Sequence, residues 1–106
     1  MTRIVVLSTC GTMREARMIA NDLLQRRFAA CVNILPVTSC YRWKGKIVKG
    51  QEWLMIIKTN ASIFPKLKQR ILARHSYEVP EVVSLKIENG SQPYLAWLDR
   101  ELHSGE

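Results

Sequence analysis

The sequence predicts an α+β domain built on one antiparallel sheet, and three observations lead there. The chain has 106 residues, 47% hydrophobic and 24% charged, which is the length and composition of one globular domain. Its apolar residues switch between strand-like runs and helical spacing in the order strand, helix, strand, strand, helix, strand, helix. Its two longest strand-like segments are separated only by Lys44-Gly45, a connection short enough for an antiparallel hairpin. Residues 1–106 are therefore read as a single domain.

Each element follows from its residues. Ile4–Ser8 is short, apolar and β-branched, a buried strand that ends in a turn at Gly11. Thr12-Met13-Arg14-Glu15 has the capping-box pattern, in which the hydroxyl takes an orphan amide and the carboxylate reaches back to the cap's own amide. The helix that starts there carries Ala16, Ile19, Ala20, Leu23 and Leu24 on one face and ends near Arg27. Ala30–Trp43 is rich in Val, Ile, Thr, Tyr and Cys but contains Pro36, so a bent or bulged strand is expected. Lys46–Thr59 returns antiparallel to it, giving a hairpin whose arms exceed the usual five or six residues. Ser62 is expected to cap a second helix with Pro65 in its first turn and Phe64, Leu67, Ile71 and Leu72 as its stripe, ending near His75. Val82–Ile87 is the fourth strand, and Gln92–Leu102 a terminal helix introduced by Ser91 and Pro93. The first six elements match the split βαββαβ order called ferredoxin-like, here with a long central hairpin and an extra C-terminal helix.

Two helices cover only one face of such a sheet. Yet the strands are apolar on both sides: Trp53, Met55 and Ile57 point one way and Leu54 and Ile56 the other. One short terminal helix is too small to cover the second face, so a homo-oligomer packed through it is expected. Trp43, Trp53, Trp97 and Tyr41 are read as packing anchors of that interface.

Charge and targeting narrow the partners. The net charge is +7, but the basic residues are scattered and no RNP-type pattern accompanies the aromatics, so neither nucleic acid nor a membrane is an expected partner. No apolar run approaches the roughly 18 residues of a membrane span. No secretory signal is visible, and a cytoplasmic location is expected. Cys10, Cys31 and Cys40 are odd in number and lack C-x-x-C spacing, as reduced cysteines would.

Five segments point to a family. Ala29-Ala30-Cys31-Val32-Asn33-Ile34-Leu35-Pro36, Tyr41-Arg42-Trp43-Lys44-Gly45-Lys46, Ile57-Lys58-Thr59, His75-Ser76-Tyr77-Glu78-Val79-Pro80-Glu81 and Tyr94-Leu95-Ala96-Trp97-Leu98 occur in the order in which the CutA family of divalent-ion tolerance proteins has them, and the chain resembles that family over nearly its whole length. The resemblance implies a tight homotrimer of ferredoxin-like subunits, tolerance to copper and other divalent cations, and no settled catalytic activity. The family's metal ligands would be a cysteine ending the first strand and adjacent histidines before the tyrosine. Those positions hold Ser8 and Arg74 here, leaving His75, with Cys10 as a stand-in for the thiol. One imidazole and one sulfur are donors that suit copper. For each the structural alternative is a buried turn cysteine and a helix-terminal histidine.

The resemblance also places Cys31, Asn33, Lys58, Tyr77 and Glu78 near a cleft between subunits. Lys58 follows the apolar run Leu54–Ile57, so its charge needs a partner, either Glu78 or a bound anion. Similarity in subunit architecture to the trimeric PII regulators makes a small anionic effector the alternative function. A thiol enzyme would need Cys31 and His75 to meet as nucleophile and base.

Overall fold

The computed structural model of the chain describes residues 2–103. Seven elements run in the expected order: β1 (Arg3–Cys10), α1 (Met13–Gln25), β2 (Cys31–Trp43), β3 (Lys46–Asn60), α2 (Phe64–Arg74), β4 (Val83–Lys86) and α3 (Gln92–Glu101). The strands form one sheet in the order β2-β3-β1-β4, every neighbouring pair antiparallel. This is the ferredoxin-like arrangement. None of the helices among the described residues is long and apolar enough to cross a membrane.

Alternation along β1 sets the core. Ile4, Val6, Ser8 and Cys10 are buried, and their register partners Thr59, Ile57 and Met55 are buried beside them. α1 lays Ala16, Ile19, Ala20 and Leu23 over this face and α2 adds Leu67 and Ile71. Each large aliphatic side chain buried there contributes about 1.5–3 kcal/mol. Leu24 and Leu72, expected on the two stripes, lie at their margins and stay exposed. Trp53 pairs with Cys10 and packs partly buried against the helix-side core, so it is not on the open face as an interface anchor would be. Trp97 packs against the same core.

The caps differ from expectation in their partners. Thr12 Oγ1 accepts from the Glu15 amide at 3.1 Å, as a cap should. The Glu15 carboxylate does not return to the cap; it accepts from the amide of Ser76 at 2.6 Å and from its hydroxyl at 2.9 Å, tying the start of α1 to the segment after α2. At α2 Ser62 does not cap: the N-cap is Ile63, with no side-chain cap bond, and Asn60 Oδ1 accepts from the Ile63 amide at 3.0 Å and from the Ser62 hydroxyl at 2.8 Å in the turn before the helix. α1 ends with Arg27 in the left-handed region, φ 59°, while the amides of Arg27 and Phe28 bond the carbonyls of Leu24 and Leu23. Glycine usually fills that position. Arginine is used here because its guanidinium donates to the carbonyls of Glu101 at 2.9 Å and Arg100 at 2.6 Å, closing the end of α3.

The hairpin register runs unbroken from Cys31↔Lys58 to Trp43↔Lys46. Pro36 therefore causes no bulge. It is tolerated because β2 is an edge strand, where a missing amide costs no ladder bond. Lys44 and Gly45 both take positive φ, 51° and 80°, the pattern of a two-residue type I′ turn.

Three ion pairs, on two carboxylates, fasten the periphery. Asp22 in α1 accepts from Arg70 of α2 at 2.8 and 3.2 Å and from Arg26 at 3.0 Å. The hydrogen bonds from Arg70, above all, hold the Asp22 carboxyl below the usual carboxylate range. Arg3 does the same for Asp99, bonding it at 2.7 and 3.0 Å. Both folded pKa values lie below their unfolded values, so the unfolded chain binds more protons in the window between them. The stabilisation is complete above the unfolded carboxylate value of about 3.9 and is lost as pH falls through the folded values. The melting temperature is expected to drop below about pH 4, with a shallower slope in Asp22→Asn; equal slopes would remove Asp22 from the account.

The opposite face is mostly uncovered. Val5, Leu7, Leu54 and Ile56 are only half-buried, and Val83 and Leu85 of β4 are 46% and 56% exposed. α3 covers one end alone, through the Arg3–Asp99 pair and Tyr94 beside Cys31.

Candidate functional site

Cys10 and His75 meet, from elements far apart in sequence. β1 delivers Cys10 to the sheet's end, and the segment after α2 brings His75 Nε2 to 3.7 Å from its Sγ. The imidazole is fully buried and both its nitrogens are committed. The Tyr77 amide can only donate, so Nδ1, 3.1 Å away, accepts; Nε2 then carries the hydrogen and donates to the Thr9 carbonyl at 2.7 Å. Burial, reinforced by Glu15 and Glu52, pushes the Cys10 thiol up to about 12, so without a metal ion it is protonated. Among the described residues no three His, Cys, Asp or Glu converge to hold a metal ion. Within one subunit the pair lacks the further donors that a divalent cation needs. Its geometry is that of a structural joint, in which the ring also packs on Tyr77 at 4.7 Å between centroids.

Tyr77 continues round the end of β1. Its hydroxyl donates to Glu52 Oε2 at 2.7 Å, and burial, with that carboxylate beside it, pushes the phenol above its ordinary range. Gly11 allows the approach, since a Cβ there would stand 3.3 Å from the Tyr77 hydroxyl. Tyr77 and Glu78 line a cleft of about 590 Å³ together with Glu52, Glu81, Tyr41 and Trp43.

Cys31, Asn33 and Lys58 lie elsewhere, on the open face beneath α3. Lys58 Nζ donates to Asn33 Oδ1, which also accepts from the Cys31 thiol at 3.8 Å. Burial and the Cys31 thiol push the Tyr94 phenol up. Lys58 stands six residues along β3 from Glu52, about 20 Å at strand rise, so the five cleft residues form two groups in one chain. The Lys58–Glu78 ion pair is not made, and Cys31 and His75 sit on opposite faces of the sheet, which removes the nucleophile and base. Sequence reasoning missed Glu52, Glu15 and Tyr94. Glu52 could have been found: it heads the apolar run Trp53–Ile57, and alternation puts it on the face of Leu54 and Ile56.

The family described as CutA1 divalent ion tolerance protein matches the chain over residues 4–101. The chain belongs to this family. A CutA divalent-cation tolerance protein of Thermus thermophilus is 52% identical over 95 residues, 89% of this chain and 92% of that one. The structure of the periplasmic CutA of Archaeoglobus fulgidus superposes with a TM-score of 0.93 at 36% identity, covering 95% of this chain and 99% of that chain. A chloroplastic CutA of Arabidopsis thaliana is 44% identical over 96 residues, and the match spans 90% of this chain but only 53% of that protein. These CutA relatives overturn the cytoplasmic expectation. Proteins this similar are named for the periplasm and the chloroplast, so similarity does not place the chain in the cytoplasm. The CutA family is named for tolerance to divalent ions and not for a reaction.

Proposed function

We propose that the chain, a single domain over residues 1–106, is the subunit of a homotrimer that serves divalent-cation tolerance, binding copper or a comparable cation with donors contributed by more than one subunit and catalysing no reaction. The uncovered apolar face carries this reading: Leu7, Leu54, Ile56, Val83 and Leu85 form a continuous patch that only a large partner can take out of water. A threefold assembly would also bring one subunit's Tyr77 and Glu78 towards another's Lys58. Family membership supplies the link to divalent cations. Because Cys10 and His75 are committed within the subunit, calorimetric titration of copper(II) with the oligomer mass recorded is expected to give saturable binding in a simple ratio per trimer, unchanged in Cys10→Ser. Unsaturable binding in the intact trimer, or loss of binding in a folded Cys10→Ser protein, would sink the proposal.

Lys58 favours a second reading, a PII-like protein with a small anionic effector at the subunit contacts. Its ammonium has Asn33 as its partner, and among the described residues no carboxylate lies within ion-pair distance of it. A charge that assembly would bury needs a counter-charge. Nucleotides or organic acids that bind there should raise the melting temperature by mass action, and not in Lys58→Met.

A further inference from the structure

The cleft beside Tyr77 is chemically unlike the rest of the molecule. In a chain of net charge +7, its lining holds Glu52, Glu78 and Glu81 and neither lysine nor arginine. Tyr41 and Trp43, both partly exposed on β2, supply aromatic faces. The volume, about 590 Å³, falls in the range of small-molecule sites.

Glu52 is the telling residue. It is only 9% exposed, its Oε2 takes the Tyr77 hydroxyl, and among the described residues no cationic side chain lies within ion-pair distance of it. A buried carboxylate without a counter-ion is costly. The aromatic wall indicates which kind of cation would fit. The Trp43 ring already attracts one ammonium, that of Lys44, whose Nζ lies 5.6 Å from the ring centroid. Ring faces favour weakly hydrated organic cations, whereas a metal ion requires several converging lone pairs, and no such group of three forms here among the described residues.

We propose that this cleft binds an organic cation, an alkylammonium or guanidinium group, with Glu52 as the buried counter-charge, Glu78 and Glu81 as further acidic partners, and Tyr41 and Trp43 against its body. The argument is independent of the divalent-cation reading above. The same chemistry is available from a free amine or from a lysine of a second copy of this chain, and the experiment separates them.

The probe is agmatine, which carries one guanidinium and one ammonium, titrated by calorimetry into the chelator-treated full chain, with butanol as the uncharged control. Saturable binding of agmatine alone, weakened tenfold or more in Glu52→Gln and in Glu78→Gln/Glu81→Gln, is the expected result for a free amine. Glu52→Gln keeps an acceptor for Tyr77, and the second variant alters exposed positions only, so at least one of them stays folded. If the occupant is another copy's lysine, wild type gives no heat while Lys44→Met/Lys46→Met/Lys58→Met binds agmatine with the same dependence on the carboxylates. No saturable binding in either background, or binding indifferent to both carboxylate variants, would overturn the proposal.

Discussion

Ile56→Glu is expected to abolish the native oligomer. Ile56 faces Leu7 in the register of β3 and β1, on the open face, and is only half-buried. The side chain points away from α1 and α2, so the subunit itself tolerates the change. In the proposed trimer, however, the carboxylate would be driven into an apolar contact with no cation to meet it. A penalty of about 4 kcal/mol, ordinary for an unpaired polar group, corresponds to roughly a thousandfold in association. Light scattering behind a sizing column should show monomer or aggregate for Ile56→Glu and unchanged mass for Ile56→Leu. A glutamate variant of native mass would mean that subunits meet through another surface. Trp53, the obvious candidate from sequence, is the wrong residue for this test because it packs on the helix-covered side.

His75→Ala is expected to lower stability by about 3 kcal/mol, and the melting temperature by about 10 °C or more. Two effects add. The Tyr77 amide and the Thr9 carbonyl lose their partners, and a fully buried ring leaves a void under Tyr77 and beside Cys10. Differential scanning calorimetry at fixed protein concentration checks this. An unchanged melting temperature would mean that the ring is not structural, and would return its nitrogens to consideration as metal donors.

The sequence made the fold legible because periodicity and local signals agreed. Alternation in β1, the α1 stripe, Thr12 before it and Lys44-Gly45 in the hairpin all pointed to one arrangement. What stayed hidden was long-range pairing. Nothing near Glu15 in sequence tells that its carboxylate binds Ser76, sixty-one positions away. Likewise Pro36 was read as a bend or bulge, and only the strand order shows that an edge position accommodates it without one. The site was legible as residue types and not as partnerships. Cys10 and His75 lie side by side, but the backbone partners of the ring, Thr9 and Tyr77, are set by how the segment after α2 passes the end of β1. Lys58 was expected to meet Glu78 or a bound anion, and its partner within the subunit is the neutral Asn33.

The uninterrupted hairpin also bears on the order in which the chain folds. Closing a two-residue loop costs little chain entropy, and each further pair zips onto the last, so β2 and β3 can join within microseconds of one another's synthesis or dilution from denaturant. β1 comes from the start of the chain yet occupies the middle of the sheet, between β3 and β4. Its docking needs contacts such as Arg3↔Asn60 and Ile4↔Lys86, separated by most of the chain length, and contacts of such separation are slow to form. Until β1 arrives, the hairpin waits with both faces bare, so the interval before docking is when the nascent subunit is most exposed to aggregation.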